Sequence, residues 1–301
     1  MPKNRPILLV LAILLLTALN PAPAQPTVGQ EKAIEVLGQR IHYLEAGSGP
    51  TVVLLHGLGA DSTTWLPTIP VLASHFHVYA LDQIGFGQSD KPMIPYRPRT
   101  LVDFLMGFLD QLGIEKATLV GNSLGGWTAA AFAIEHPARV DKLVLVGAAG
   151  LAPRLWNGPT RDRAWLEQLN PSTLAGYRQL LSLAFYHQQM LTNEFIAQRF
   201  ARKLKINDGY TISRFLESFE HGEDRLDERL KTLKAPTLVL WGAEDELVPL
   251  GSGKTLAAII PGAQLIIFDR CGHILQEDCP EAFNGALLQF LSASGQSSPA
   301  Q

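Results

Sequence analysis

Gly121-Asn122-Ser123-Leu124-Gly125 sets a serine between two glycines, at the end of one apolar run and the start of another. The preceding Ala117-Thr118-Leu119-Val120 is short and apolar enough for a buried strand, and Gly126 to Ile134 carries the small and apolar residues of a helix. A strand that turns directly into a helix through a serine predicts a nucleophile elbow. The turn is so tight that the flanking positions must lack side chains, and the helix N-terminus then lies beneath the serine oxygen. The motif alone arises by chance in many chains, so its reading rests on what the rest of the sequence supplies.

Serine is a weak nucleophile and needs a base, plus a group that orients the base, in the chain order Ser, Asp or Glu, His. Two further strand-like runs deliver such residues. Thr237 to Trp241 runs into Gly242-Ala243-Glu244-Asp245-Glu246, and Gln264 to Phe268 runs into Asp269-Arg270-Cys271-Gly272-His273. Sites in open parallel sheets form where the strands end, so Asp245 and His273 can meet Ser123 across a long stretch of chain. Upstream, Thr51 to Leu55 ends in His56-Gly57-Leu58-Gly59, a glycine-bearing loop able to present backbone N–H groups. The expected oxyanion donors are the N–H groups of Leu58 and Leu124. His56 and Gly57 are expected to hold that loop in place rather than to react.

With these landmarks the chain resembles the α/β-hydrolase superfamily over roughly residues 30 to 293. The resemblance rests on His56-Gly57, Asp82-Gln83-Ile84-Gly85-Phe86-Gly87-Gln88-Ser89, Gly121 to Gly126, Trp241-Gly242-Ala243-Glu244-Asp245 with Pro249, and Gly272-His273 with Glu277 and Pro280. It is similar to bacterial lipases and esterases of the monoacylglycerol-lipase-like kind, and more loosely to hydrolases that cleave carbon–carbon bonds in ring-fission products. That second group usually carries Gly-Pro-Gly after the first His-Gly and tryptophan after the catalytic histidine. Here Gly59-Ala60-Asp61 and Ile274 stand at those places. The resemblance implies an α/β fold, with a mostly parallel eight-stranded sheet, helices on both faces and a helical cap after the sixth strand. It also implies a Ser123–His273–Asp245 triad hydrolysing carboxylic esters. A carbon–carbon or amide hydrolase with the same triad is the alternative, and a ligand-binding receptor on the same fold is the non-enzyme alternative. The pattern Trp-Gly-x-x-Asp selects Asp245 over its neighbours Glu244 and Glu246. Asp82 is expected to be a structural loop partner.

Composition and address narrow the class. The chain has 301 residues, 47% of them hydrophobic, and a net charge of −3, so there is no basic excess to attract nucleic acid. Lys3 and Arg5, an apolar stretch from Ile7 to Leu19 and then Pro21-Ala22-Pro23-Ala24 predict a secretory signal over residues 1–24, since the stretch is short against the roughly 20 residues of a bilayer span. Cleavage would leave no membrane span and a periplasmic or secreted protein. Its two cysteines, Cys271 and Cys279, are expected to remain separate, as a small buried residue and a free thiol, with a bridge as the alternative in an oxidising compartment.

The alternation of strands and helices defines a core over 25–150 and 232–293. It breaks in the segment 151–231, where Leu174, Tyr177, Leu181, Ala184 and Phe185 recur at helical spacing, as do Phe195, Arg199 and Phe200, and Ile212, Phe215, Leu216 and Phe219. A cap over the site follows, and some of the rings of Phe185, Tyr186, Phe195, Phe215 and Phe219 are expected to line the pocket. The tail 294–301 is expected to be disordered. His42, His75, His77, His136, His187 and His221 lack the context of His273. No cluster has metal-ligand spacing, and no cofactor is expected. Gly251-Ser252-Gly253-Lys254-Thr255 lacks the leading glycine of a phosphate loop, since Val248 stands there.

Overall fold

The computed structural model describes residues 29–151 and 162–293. The predicted leader, the tail and part of the segment after the sixth strand lie outside the described residues. Eight strands form one sheet: β1 Gln30–Val36, β2 Gln39–Ala46, β3 Thr51–Leu55, β4 His77–Leu81, β5 Ala117–Asn122, β6 Val140–Val146, β7 Thr237–Gly242 and β8 Gln264–Phe268. Their order is β1-β2-β4-β3-β5-β6-β7-β8. β1 and β2 pair antiparallel with each other, β2 pairs antiparallel with β4, and the remaining neighbours are parallel. The central strands β3, β5 and β7 are buried along nearly their whole length, so they read as continuous apolar runs rather than alternating ones. The β1–β2 turn falls at Leu37-Gly38, both at positive φ. Two consecutive positive-φ residues match the right-handed twist of the strands they join.

Ten α-helices surround the sheet among the described residues. They are α1 Ile69–Ala73, α2 Pro98–Gln111, α3 Leu124–Glu135, α4 Arg163–Glu167, α5 Leu174–Ala184, α6 Asn193–Ile206, α7 Gly209–His221, α8 Leu250–Ile259, α9 Leu275–Asp278 and α10 Pro280–Ser292. α2 starts one turn before the apolar periodicity at Leu101, because Pro98 occupies its first turn, where a missing N–H costs nothing. Two apolar layers sandwich the sheet. One centres on Phe108, Phe132 and Trp241, the other on Trp65, Phe283 and Leu287.

Helices α4 to α7 lie between β6 and β7, where the cap was expected. Their starts are fixed locally: Thr173 accepts from Gly176 N at the head of α5, and Thr192 from Phe195 N at the head of α6. Gly251 to Thr255 is part of α8, with Gly253 pressed on Trp241, and forms no phosphate loop. No helix among the described residues is long and apolar enough to cross a membrane.

One expectation is corrected. Cys271 and Cys279 are joined in a disulfide, with Cα atoms 6.1 Å apart. The pairing follows from α9, which folds back so that Asp278 at its end accepts the N–H of Gly272 at 2.7 Å and carries Cys279 to the histidine loop.

Candidate active site

Ser123 sits at φ 55° and ψ −115°, between the end of β5 and the start of α3. The glycines on either side are demanded by backbone contact. A Cβ on Gly121 would stand 2.2 Å from the carbonyl oxygen of Gly125, and one on Gly125 would stand 2.2 Å from that of Leu55. Asn122 points the other way, and its amide donates to Val146 O at 3.1 Å and to His273 O at 3.2 Å. The elbow is thereby tied to the loop that carries the base.

His273 Nδ1 lies 2.8 Å from Asp245 Oδ2. The other carboxylate oxygen of Asp245 accepts the N–H groups of Leu247 at 3.0 Å and Val248 at 2.8 Å. Asp245 is therefore fixed in place, and its bond to Nδ1 leaves Nε2 of His273 free of that contact. Glu244 is spent elsewhere, accepting Cys271 N at 2.9 Å. Ser123 and His273 line one cavity of about 510 Å³. No direct hydrogen bond joins them, a spacing common before substrate binds.

Leu58 and Leu124 line the same cavity, and the N–H group of neither makes a backbone hydrogen bond. Leu124 is the first residue of α3, where an N–H has no partner within the helix. His56 is fully buried, with Nδ1 2.8 Å from Gly57 O, while Nε2 accepts Gln83 N at 3.0 Å. Burial lowers its pKa and keeps it neutral, so it acts as a fixed strut under the loop. A Cβ on Gly57 would lie 3.2 Å from Ser123 Cβ, so the missing side chain eases the close approach of the loop to the nucleophile. Burial alone would raise the pKa of Asp82, but hydrogen bonds from His42, Gln88 and Ser62 outweigh it and hold the carboxyl at about 2. Asp82 braces three loops and does not line the cavity, as expected of a structural partner.

Some of the cap rings were expected to line the pocket, and one does. Of the five named aromatics only Phe219 lines the cavity. Phe215 stacks on Phe86 at 5.8 Å, and Phe185 packs edge-on against Phe195 at 6.2 Å, inside the cap's own apolar cluster. The wall over Ser123 is built instead by Leu166, Leu169, Leu180, Leu181 and Ile206, with Tyr177. Three acids that sequence reasoning gave no role also stand here. Asp278 accepts Gly272 N, Tyr186 N and His187 N, clamping the cap to the histidine loop. Glu277 and Asp61 take Arg199 and Arg202 of α6 as partners. Each joins elements far apart in sequence, so no local pattern could have announced it. His187, Asp278 and Cys279 lie close enough to be grouped as metal ligands, but the Cys279 sulfur is bonded to Cys271.

A serine on a strained strand-to-helix turn, beside a histidine–aspartate pair and two open N–H groups, defines a hydrolase of the nucleophile-elbow class. Residues 50–280 match the family model for the alpha/beta hydrolase fold, and the chain belongs to that family. It is 37% identical to 2-hydroxy-6-oxo-6-phenylhexa-2,4-dienoate hydrolase of Burkholderia cepacia, over 84% of this chain and 91% of that protein. It is 34% identical to 2-hydroxymuconate semialdehyde hydrolase of Pseudomonas sp. strain CF600, over 91% and 97%. Among solved structures it resembles a meta-cleavage product hydrolase from Pseudomonas fluorescens IP01, with a TM-score of 0.79 and 32% identity over 88% of this chain and 98% of that one. It resembles a bacterial membrane phospholipase A with a TM-score of 0.80 and 30% identity, over 88% and 86%. Taken together, these relatives side with the carbon–carbon alternative more than with ester hydrolysis.

Proposed function

We propose that the chain hydrolyses carboxylic esters through an acyl-enzyme. Ser123 Oγ attacks the acyl carbon while His273 Nε2 takes its proton, and Asp245 balances the imidazolium and holds its tautomer. The carbonyl oxygen, now negative, lies against the N–H groups of Leu58 and Leu124, donors of a kind worth about 3 kcal/mol each in the transition state. His273 returns the proton to the departing alkoxide, and water then repeats the sequence to release the acid.

The observation that carries the choice of an ester is the wall beside His273. Ile274 and Ala60 line the cavity at the two places where the ring-fission group resembled above usually has tryptophan and proline. Leu166, Leu169, Leu180, Leu181 and Ile206 add an aliphatic stretch of wall suited to an acyl chain, beside rings and ion-paired side chains. Carbon–carbon bond hydrolysis is the second reading, and it is favoured by the relatives at 34–37% identity over most of the chain. The two are separated by turnover of p-nitrophenyl esters from acetate to palmitate beside turnover of a 2-hydroxy-6-oxo-dienoate. The expected result is a kcat/KM that rises from acetate to a medium chain and exceeds the dienoate value. A higher value for the dienoate would install the second reading.

We also propose that residues 1–24 direct export. The Cys271–Cys279 bridge supports this, since such bonds persist in oxidising compartments. N-terminal sequencing of protein from a periplasmic fraction is the check, with Gln25 expected as the first residue; an intact Met1 or cytoplasmic retention would overturn it.

A further inference from the structure

Helix α6 turns three cations, Arg199, Arg202 and Lys203, onto the wall of the cavity that holds Ser123. Each meets a carboxylate that is buried or nearly so. Arg199 bonds Glu277, whose side chain is 10% exposed and whose other oxygen accepts Thr64 Oγ1 at 2.6 Å. Arg202 Nε donates to Asp61 Oδ2 at 2.7 Å, with Asp61 5% exposed and its other oxygen accepting Thr63 N at 2.9 Å. Lys203 lies 3.0 Å from Asp208, which is 1% exposed. The hydrogen bonds from Thr63 and Thr64 hold the two acids in place beside the cap. The three cations that α6 brings to the wall are therefore each paired with a carboxylate.

We propose that Glu277 and Asp61 are specificity-determining residues that cancel the cations of α6 and restrict the cavity to substrates whose acyl chain carries no negative charge. The inference rests on the cavity being the substrate pocket of the hydrolase described above. A carboxylate entering the pocket loses its water and meets Glu277 and Asp61 as like charges, while the guanidinium groups beside them are already bonded. Relatives named for dienoates take a carboxylate-bearing substrate; the paired wall here excludes that class.

The test uses two p-nitrophenyl alkylphosphonates of equal chain length, one ending in a methyl ester and one in a free carboxylate. Ser123 Oγ forms the O–P bond, its proton passes to His273, and p-nitrophenolate leaves and is read by its absorbance. Labelling reports on the pocket whichever bond the enzyme normally cleaves. An enzyme inactive on esters that still prefers the neutral probe would overturn the ester reading and leave this one standing.

In the native protein the neutral probe is expected to label at least about tenfold faster, because a like-charge juxtaposition in a desolvated site is costly. In Glu277→Gln and in Asp61→Asn the anionic-to-neutral ratio should rise by about tenfold, with sharper salt dependence, since each frees a cation. Equal labelling of the native protein by both probes would overturn the proposal even if neither variant folds. Arg225 also lines the cavity and makes no ion pair among the described residues, so Arg225→Gln is the control. Strong anionic labelling of the native protein that is lost in Arg225→Gln would assign an anion site to Arg225 and refute the exclusion.

Discussion

Replacing Ser123 by glycine, with Ser123→Ala as the reference, tests whether the elbow stores backbone strain. At φ 55° and ψ −115° Ser123 lies outside even the left-handed helical region, and a residue with a Cβ held there costs about 1–3 kcal/mol. Glycine removes that cost but loses more chain freedom on folding, about 0.5–1 kcal/mol relative to alanine. The difference leaves Ser123→Gly more stable than Ser123→Ala by about 1 kcal/mol, or roughly 2–4 °C in Tm for a chain of this size. Both variants lack Oγ, so the comparison isolates the backbone, and both should lose ester turnover by at least about a thousandfold. Thermal unfolding followed by circular dichroism, beside turnover of p-nitrophenyl butyrate, supplies both readings. A glycine variant that melts at or below the alanine variant would refute stored strain, and substantial activity in either would refute Ser123 as the nucleophile.

Asp245→Asn should lower kcat by more than about a hundredfold, because an amide cannot hold the working tautomer of His273. Glu244→Gln, which alters only the bond to Cys271 N, should change kcat far less; equal losses would mean that the wrong carboxylate has been chosen. Replacing both Cys271 and Cys279 by serine opens a loop of about nine residues, for which chain entropy predicts a loss of about 2–3 kcal/mol. Thermal unfolding should show it as roughly 5–10 °C in Tm, and no shift would mean that the bridge is not formed in solution. Asp82 has a folded pKa of about 2, below its unfolded value, so its contribution is present above about pH 4 and is lost as pH falls toward 2. Asp82→Asn should cost about 2 kcal/mol at pH 7, with the gap closing over that window, and a gap in urea unfolding that stays constant from pH 7 to pH 2.5 would refute it.

The elbow was legible because its cause is local. Gly121 and Gly125 are required by backbone atoms four and five positions away or on the adjacent strand β3, and a strand, a serine and a helix in that order leave few other arrangements. Asp245 and His273 were legible for a related reason, since parallel strands deliver their following loops to one edge. The rest depended on which element docks where. Helical spacing shows that Phe185 and Phe215 face an apolar surface, but not that the surface is the cap's own cluster for one and Phe86 for the other. An eight-residue cysteine spacing fits a bridge or two thiols equally well, and the docking of α9 through Asp278 decides between them.

Glu277 and Asp61 belong to the same class of hidden feature, because an acid read in sequence does not show that its partner is an arginine on a helix far along the chain. This separates two kinds of information in the molecule. The reacting groups sit on a scaffold whose geometry is dictated by short motifs such as Gly121 to Gly125. On the specificity proposed above, the choice of substrate is made by Ile274, Glu277 and Asp61 on the cavity wall. Identity over most of the chain therefore speaks for the hydrolase and its family, and on the proposal above the decision between an ester and a charged dienoate falls to those few side chains.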